Sequence, residues 1–332
     1  MKYIKTDWAV PYYNLALEEY LMSKIPQDDY FFFYIHDPSI IVGRFQNTLE
    51  EINYEYVQEN DICVARRLTG GGAVYHDNGN LNFSFILRAG EKDVNNFAKF
   101  VEPIIAALGS MGIDAELAGR NDILVDGKKV SGNAQYSKHN MLIHHGTLLF
   151  DSKMENLSNA LNVKDLKIKS KGTKSVRSRV ANIKDYMDSD ISIMEFKENI
   201  LEYLTEAENL TEYVLTDEDI KSVENAVKTK FSTWDWNWGK SPAFDIQRTD
   251  KFPCGIIDAR INVKKGQITD CKIYGDFFVK KDIDVLEQFL IGQTFSNNGL
   301  KEQLKTHKSS IVIDDFFHEM TAYEFVDFIC PY

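Results

Sequence analysis

The Asp126-Gly127 pair, set between the β-prone runs 122–125 and 128 onward, constrains the fold more than any other feature of this sequence. Asp-Gly accepts the positive φ angles of a tight hairpin turn, so the flanking runs are expected to be antiparallel neighbours in a sheet. A second signal lies at 80–87, where Leu81, Phe83, Phe85 and Leu87 fall on one face and Asn82, Ser84, Ile86 and Arg88 on the other. That alternation suits a half-buried strand. Strand-like runs also occupy 30–35, 40–42 and 146–150, and helical patterns occupy 12–23, 94–111, 193–206 and 217–229, with Gly112 placed to end the second of these. From Gly255, alternating residues, a KKGQ turn at 264–267, another strand and two helical stretches describe a compact α+β unit. The expected division is therefore a large domain, 1–246, and a small one, 247–332.

At 332 residues the chain has room for two such cores, and its 44% hydrophobic content with 21 Phe and 16 Tyr is that of a compact globular protein. No window approaches the roughly 18 to 20 apolar residues of a membrane span, and the N-terminus has no apolar stretch of signal-peptide length, so a cytoplasmic protein without a membrane partner is expected. The formal net charge of -12 argues against nucleic acid as a general partner. Cysteines 63, 254, 271 and 330 are scattered without metal or disulfide spacing and read as buried, reduced thiols.

Four segments carry candidate chemistry. In RRLTGGGAVYHDNG, residues 66–79, three glycines remove every Cβ from one bend, letting backbone N–H groups approach a ligand, and two preceding arginines can grip an anion. The pattern is neither GxxxxGK[ST] nor GxGxxG, and alone it equally suits a glycine-rich turn with solvated arginines. In GRNDILVDGKKVSGNAQ, residues 119–135, Lys129 follows the hairpin turn. It could hold a substrate carboxylate and then an α-phosphate, or be an exposed hairpin lysine. Asp122 could orient Lys129, bind Mg²⁺, or merely end a strand. HHGTLLFD, residues 144–151, lacks HExxH spacing, so its histidines are taken as lining residues. The basic stretch KGTKSVRSRV, residues 171–180, suits a mobile loop able to close over phosphates.

Taken in order, these segments resemble the lipoate-protein ligase family. The resemblance includes IVGRFQN at 41–47, RRLTGGGAVYHDNGNLNF at 66–83, GRNDILV, KKVSGNAQ, HHGTLLFD, SVRSRVANI at 175–183 and WDWNWGKSPAF at 234–244, and it covers essentially the whole chain. It implies an α/β (α+β) fold, with a biotin/lipoate-ligase-like domain of mixed or antiparallel sheets flanked by helices and a small C-terminal α+β accessory domain. It further implies a two-step reaction: lipoate and ATP give lipoyl-AMP and pyrophosphate, and an acceptor lysine then attacks the mixed anhydride.

By this resemblance Lys129 sits at the reacting carbonyl and phosphate, with Asp122 beside it as the candidate Mg²⁺ ligand. Arg67, Gly72, Ala73, Val74, Tyr75 and Asn121 join them along the ATP and lipoyl-AMP site. The lipoyl pocket takes Val42, Gly43, Arg44, Gly71, His76, His145 and Gly146. Lys171, Gly172, Thr173, Lys174, Ser175, Val176, Arg177, Ser178 and Arg179 form the adenylate-binding loop, which is expected to order over the intermediate and exclude water. The C-terminal unit would rotate after adenylation about a hinge near 241–249. Implied acceptors are the glycine cleavage H protein and the lipoyl domains of 2-oxoacid dehydrogenase E2 subunits.

Three rivals differ in chemistry. An octanoyltransferase or lipoyl amidotransferase needs a cysteine nucleophile in the active-site segments, but KKVSGNAQ and HHGTLLFD contain none, and Cys63 lies in an apparent strand, ICVAR. A biotin ligase would carry a GRGRxGR type of loop, where this chain has RRLTGGG. A non-catalytic lipoate-binding protein would share the pocket without turnover, and Lys129, the basic loop and the C-terminal unit together favour catalysis.

Overall fold

The structure, a computed structural model, describes residues 1–24, 28–161, 180–238, 246–264 and 266–331. The chain forms two compact units: Met1–Val42, Thr48–Leu68 and Ala73–Trp238 make the first, while Gly43–Asn47, Thr69–Gly72 and Gly239–Tyr332 make the second. The units thus interlace in sequence.

The first unit is built on an eight-stranded sheet. Its strands are β1 (Lys2–Lys5), β2 (Tyr30–Ile35), β6 (Asn80–Arg88), β7 (Ala115–Ala118), β8 (Asp122–Val125), β9 (Lys128–Lys138), β10 (Met141–Leu149) and β11 (Thr211–Glu212), in the spatial order β11-β1-β2-β6-β10-β9-β8-β7. The β11-β1-β2 edge is parallel and the remainder antiparallel. A small mixed sheet, β4-β3-β5, is formed by β3 (Ser39–Val42), β4 (Cys63–Arg66) and β5 (Val74–His76).

Helices cover both faces of the large sheet. Phe31, Phe33, Leu81, Phe83 and Phe85 pack against Phe100, Ile104 and Leu108 of α2 (Ala98–Ser110) and Phe196, Ile200 and Leu204 of α3 (Ile193–Glu208). Tyr30, Phe32, Tyr34, Ile86 and Ile143 form the other core, with Leu15, Leu17 and Leu21 of α1 (Pro11–Ser23) and Val223 of α4 (Asp217–Ala226). Burial on both faces explains why β2 reads YFFFYI, without polar alternation.

The same covering corrects the expectation for β6, which is buried from Asn80 to Leu87 rather than on one face. Two of its polar residues bond internally: Ser84 Oγ donates to Glu18 Oε1 at 2.8 Å and Asn82 Nδ2 to the Tyr34 carbonyl at 3.1 Å. Other boundaries shift for backbone reasons. Asn95 at φ 65° precludes a helix from residue 94, so α2 starts at Ala98, while Gly112 at φ 82° follows its end as expected. His139 and Asn140, at φ 51° and 60°, make a second tight turn, and β10 therefore begins at Met141 instead of 146. Helix α4 stops at Ala226 and passes into a π turn over Val227–Phe231.

In the second unit β12 (Ile246–Phe252), β13 (Gly255–Lys264) and β14 (Gln267–Gly275) form an antiparallel sheet. Ile257, Ala259, Ile261 and Ile273 pack against Leu286 and Leu290 of α5 (Ile283–Leu290), Leu300 and Leu304 of α6 (Asn297–Thr306), and Phe325 and Ile329 of α7 (Ala322–Ile329). Phe45 joins this core by stacking on Phe277, with ring centroids 5.0 Å apart. Both units match the α/β and small α+β architectures that the resemblance implied.

Candidate active site

The β8-β9 hairpin turns through Asp126 and Gly127, at φ 50° and 69°, and fixes the first pair of site residues. A register shift between Ile123 and Leu124 pairs Asp122 with Gly132 and Leu124 with Lys129, leaving Val130 as the extra residue. The result brings Lys129 Nζ to 2.7 Å from Asp122 Oδ1, with both side chains partly open to solvent. The Lys129 ammonium lies over Gly132, where an added Cβ would stand 2.9 Å from Nζ. Gly132 therefore reserves the space that Lys129 occupies. Beyond the hairpin, Ala181 N donates to the Lys129 carbonyl at 3.0 Å, so the chain emerges from 162–179 beside this lysine.

Arg66 and Arg67 separate in role. Arg66 is committed to the protein, donating to Thr48 Oγ1 at 2.6 Å and to the carbonyls of Trp236 and Asn237 at 2.8 and 3.1 Å. The expectation that both arginines grip an anion therefore narrows to Arg67. That side chain is buried and donates from Nη1 to the Ile41 carbonyl at 2.9 Å, near Tyr34 and Glu18. Burial lowers its pKa to about 10, with Tyr34 and Glu18 opposing the shift, so it remains charged at neutral pH.

His144 and His145 are consecutive on β10 and face opposite sides. His144 is buried among Phe83, Phe97 and Phe100, with Gln135 Nε2 at 3.0 Å from Nδ1 and Asn133 Oδ1 at 3.3 Å from Nε2. Burial holds it well below the usual imidazole range and makes it a neutral core residue. His145 faces α1, placing Nδ1 2.9 Å from Glu18 Oε1. Glu18 was not anticipated, yet its position was signalled: it shares a helical stripe with Pro11, Asn14, Leu15 and Leu21, all buried. A carboxylate in an apolar stripe must find donors inside, and Ser84 and His145 supply them.

Alternation along β3 and β5 sorts the remaining residues. His76 is buried beside His36, and Val74 packs toward α1, whereas Tyr75 and Val42 point into a separate core with Ile40, Val57 and Val64. Only the main chain of Tyr75 and Val42 shares the Val74 face. Asn121 braces the hairpin, donating from Nδ2 to the Asn133 carbonyl at 2.6 Å and accepting from Asn133 N at 2.9 Å. The Cβ side of Gly146 is filled by Phe83 and Asn133, leaving its other face to the Glu18 side of the sheet. Ala73 is partly buried ahead of β5.

Gly43, Arg44, Gly71 and Gly72 belong to the second unit. Of the glycine triplet only Gly71 has positive φ, at 90°; Gly70 is required by close approach instead, since a Cβ there would lie 2.0 Å from the Phe277 carbonyl oxygen. Arg44 N donates to the Thr69 carbonyl at 2.9 Å, and its guanidinium lies 3.7 Å from Asp282. The loop from Lys171 to Arg179 lies outside the described residues.

The cysteines offer no activated thiol. Cys254, Cys271 and Cys330 are buried in the second unit's core, and burial raises the Cys63 pKa, with a hydrogen bond from Tyr12 opposing it. Among the described residues no group of three or more His, Cys, Asp or Glu side chains is arranged to hold a metal ion.

A mixed sheet carrying a hairpin lysine paired with a carboxylate, and a buried arginine, make up the candidate site, and comparison with known proteins identifies the family. The family profile "Lipoyl protein ligase A/B catalytic domain" matches residues 10–205, and "Bacterial lipoate protein ligase C-terminus" matches residues 241–329. The chain belongs to the lipoate-protein ligase family. It is 45% identical over 323 residues to lipoate-protein ligase LplJ of Bacillus subtilis, covering 96% of each. Among solved structures it resembles a bi-partite lipoate protein ligase with its E2 lipoyl domain from Thermoplasma acidophilum, at 30% identity and TM-score 0.65 over 74% of this chain and 98% of that one. It also resembles a lipoate-protein ligase A bound with ATP, at 28% identity and TM-score 0.62 over 72% of this chain and 98% of that one.

Proposed function

We propose that this chain is an ATP-dependent lipoate-protein ligase that converts lipoate and ATP to lipoyl-AMP and pyrophosphate, then transfers the lipoyl group to an acceptor lysine. The observation that carries the reading is the Lys129–Asp122 pair, with an ammonium oriented over Gly132 where no Cβ intervenes. A carboxylate attacking an α-phosphate must overcome repulsion between anions. Lys129 and Arg67 offset it with fixed positive charge that requires no reorganisation as the acyl phosphate forms. In the second step the adenylate leaves as AMP, and the same charges stabilise the departing phosphate. No covalent enzyme intermediate is needed, consistent with the raised pKa of the half-buried Cys63 and the buried Cys271.

Mg²⁺ would enter with the ATP phosphates. A hard ion that keeps several waters needs only one or two protein carboxylates, which fits a single acid, Asp122, whose Oδ1 also holds Lys129. Its chemistry would be neutralisation of phosphate charge. The adenylate-loop role of Lys171 to Arg179 is supported by the chain's return beside Lys129 at Val180. We further propose a cytoplasmic location and acceptors of the glycine cleavage H protein and E2 lipoyl-domain types. Among the described residues no helix is long and apolar enough to cross a membrane.

The deciding experiment incubates the full chain with lipoate, Mg-ATP and a lipoyl domain, then weighs the intact acceptor. One lipoyl addition requiring both enzyme and ATP is expected. Transfer from a lipoylated protein without ATP would instead identify an amidotransferase, and no addition from any donor would leave a binding protein.

A further inference from the structure

A row of polar side chains, buried from Asn14 onward, runs from Thr6 through α1 to His76, and its hydrogen bonds leave little choice of proton position. Thr6 Oγ1 donates to Asn14 Oδ1 at 3.2 Å, and Asn14 Nδ2 donates to the Trp8 carbonyl at 2.7 Å. These contacts fix the orientation of the Asn14 amide: oxygen toward the hydroxyl, nitrogen toward the carbonyl. The same Nδ2 lies 3.2 Å from His36 Nε2. An amide NH₂ can only donate, so His36 Nε2 carries no proton. A neutral His36 must then hold its proton on Nδ1, which lies 3.0 Å from His76 Nδ1. That contact works only if His76 Nδ1 accepts, which places the His76 proton on Nε2.

Both rings are suited to the neutral form. Burial pushes His36 down to about 3, and burial reinforced by the nearby Arg67 guanidinium holds His76 well below the usual imidazole range. The consequence is an N–H at His76 Nε2 that meets no partner among the described residues, on a side chain only 4% exposed. An isolated buried donor costs free energy that a ligand acceptor can recover. Arg67 and His145 border it, so the surroundings favour an electron-rich acceptor over another donor.

We propose that Asn14 and His36 are positioning residues that lock His76 as an Nε2–H donor for an acceptor atom of the acyl substrate, a carboxylate oxygen or a dithiolane sulfur. The inference rests on the ligase reading for the identity of the substrate, whereas the proton positions follow from the geometry alone. It concerns recognition of the acid and not of the nucleotide. Neither Asn14 nor His36 need touch the substrate for their replacement to alter its binding.

The test uses the full chain labelled with ¹⁵N-histidine and observed by long-range ¹H–¹⁵N correlation at pH 7. Expected are a protonated Nε2 and bare Nδ1 for His76, and the reverse for His36. Saturating lipoate should move the His76 Nε2–H resonance. A His76 Nδ1–H tautomer, or an Nε2–H unmoved by bound lipoate, would overturn the proposal without any variant. Asn14→Asp replaces the donor facing His36 with an acceptor and should invert both tautomers. It should raise the KM for lipoate about tenfold, the size of one lost hydrogen bond, while the KM for ATP stays within about twofold. Octanoate separates the two acceptors. An equal loss with octanoate assigns the carboxylate, a loss confined to lipoate assigns the sulfur, and no loss with either acid sinks the relay. A wild-type chain that lipoylates nothing would refute the ligase reading and leave the measured tautomers standing.

Discussion

Lys129 holds its position through two neighbours of different kinds: Asp122 attracts the ammonium and Gly132 makes room for it. Removing the charge with Lys129→Ala should slow single-turnover adenylation by at least about 10²-fold, in line with loss of other preorganised donors, while ATP binding changes less. A rate within a few-fold of wild type would mean the reacting group lies elsewhere. Gly132→Ala tests position with the charge kept. The new methyl displaces only the end of a flexible side chain, so unfolding free energy should change by less than about 1 kcal/mol. Misplacing the ammonium by roughly 1 Å should still cost up to about 10²-fold in adenylation, measured by pyrophosphate release. An active Gly132→Ala enzyme would show that Lys129 can reach its target from a second position.

At the scale of elements, α1 joins two systems. Its buried side carries Asn14 and Glu18 to the sheet, and its C-terminal end is tied to α4 through Asp219. Asp219 accepts from Tyr20 at 2.5 Å, Lys24 at 2.6 Å, Tyr213 at 2.7 Å and the Thr216 amide at 2.8 Å. Burial opposes ionisation of this carboxyl, yet the four donors outweigh it and hold the pKa well below the usual carboxylate range. A depressed folded pKa contributes stability that is present above the unfolded value of about 3.9 and lost as pH falls toward the folded one. Asp219→Asn should therefore destabilise the chain by about 2 kcal/mol near pH 7, with the difference from wild type shrinking below about pH 4 in urea titrations. A difference independent of pH would assign the loss to packing alone.

The whole molecule is divided in a way that a single cut in sequence does not reproduce, because Gly43–Asn47 and Thr69–Gly72 belong to the unit formed by the C-terminal third. Expressed alone, residues 1–246 would carry Phe45 without Phe277 to stack on and Gly70–Gly71 without the Phe277 carbonyl beside them. Hydrogen exchange should then be faster across 43–47 and 69–72 in the fragment than in the full chain, with β6 and β10 unchanged. Unaltered exchange in both segments would show that they keep their conformation without the C-terminal core.

Local signals were enough for much of the architecture. The Asp126-Gly127 turn gave its hairpin, β2 was readable from 30 to 35, and α3 from its first residue, because turn chemistry and periodicity act over a few neighbours. The pairing of Lys129 with Asp122 was also anticipated as one of several readings, since both lie on a single hairpin. Tertiary packing decided what no neighbour could: that the polar face of β6 is buried under α1, that Arg66 is spent on Thr48 and Trp236 while Arg67 lies by Glu18, and that His144 and His145 serve different faces. A side chain's charge and proton positions depend on the groups that replace water around it. Those groups come from segments distant in sequence, so Glu18, His36 and His76 acquired their meaning only when the sheet brought them together.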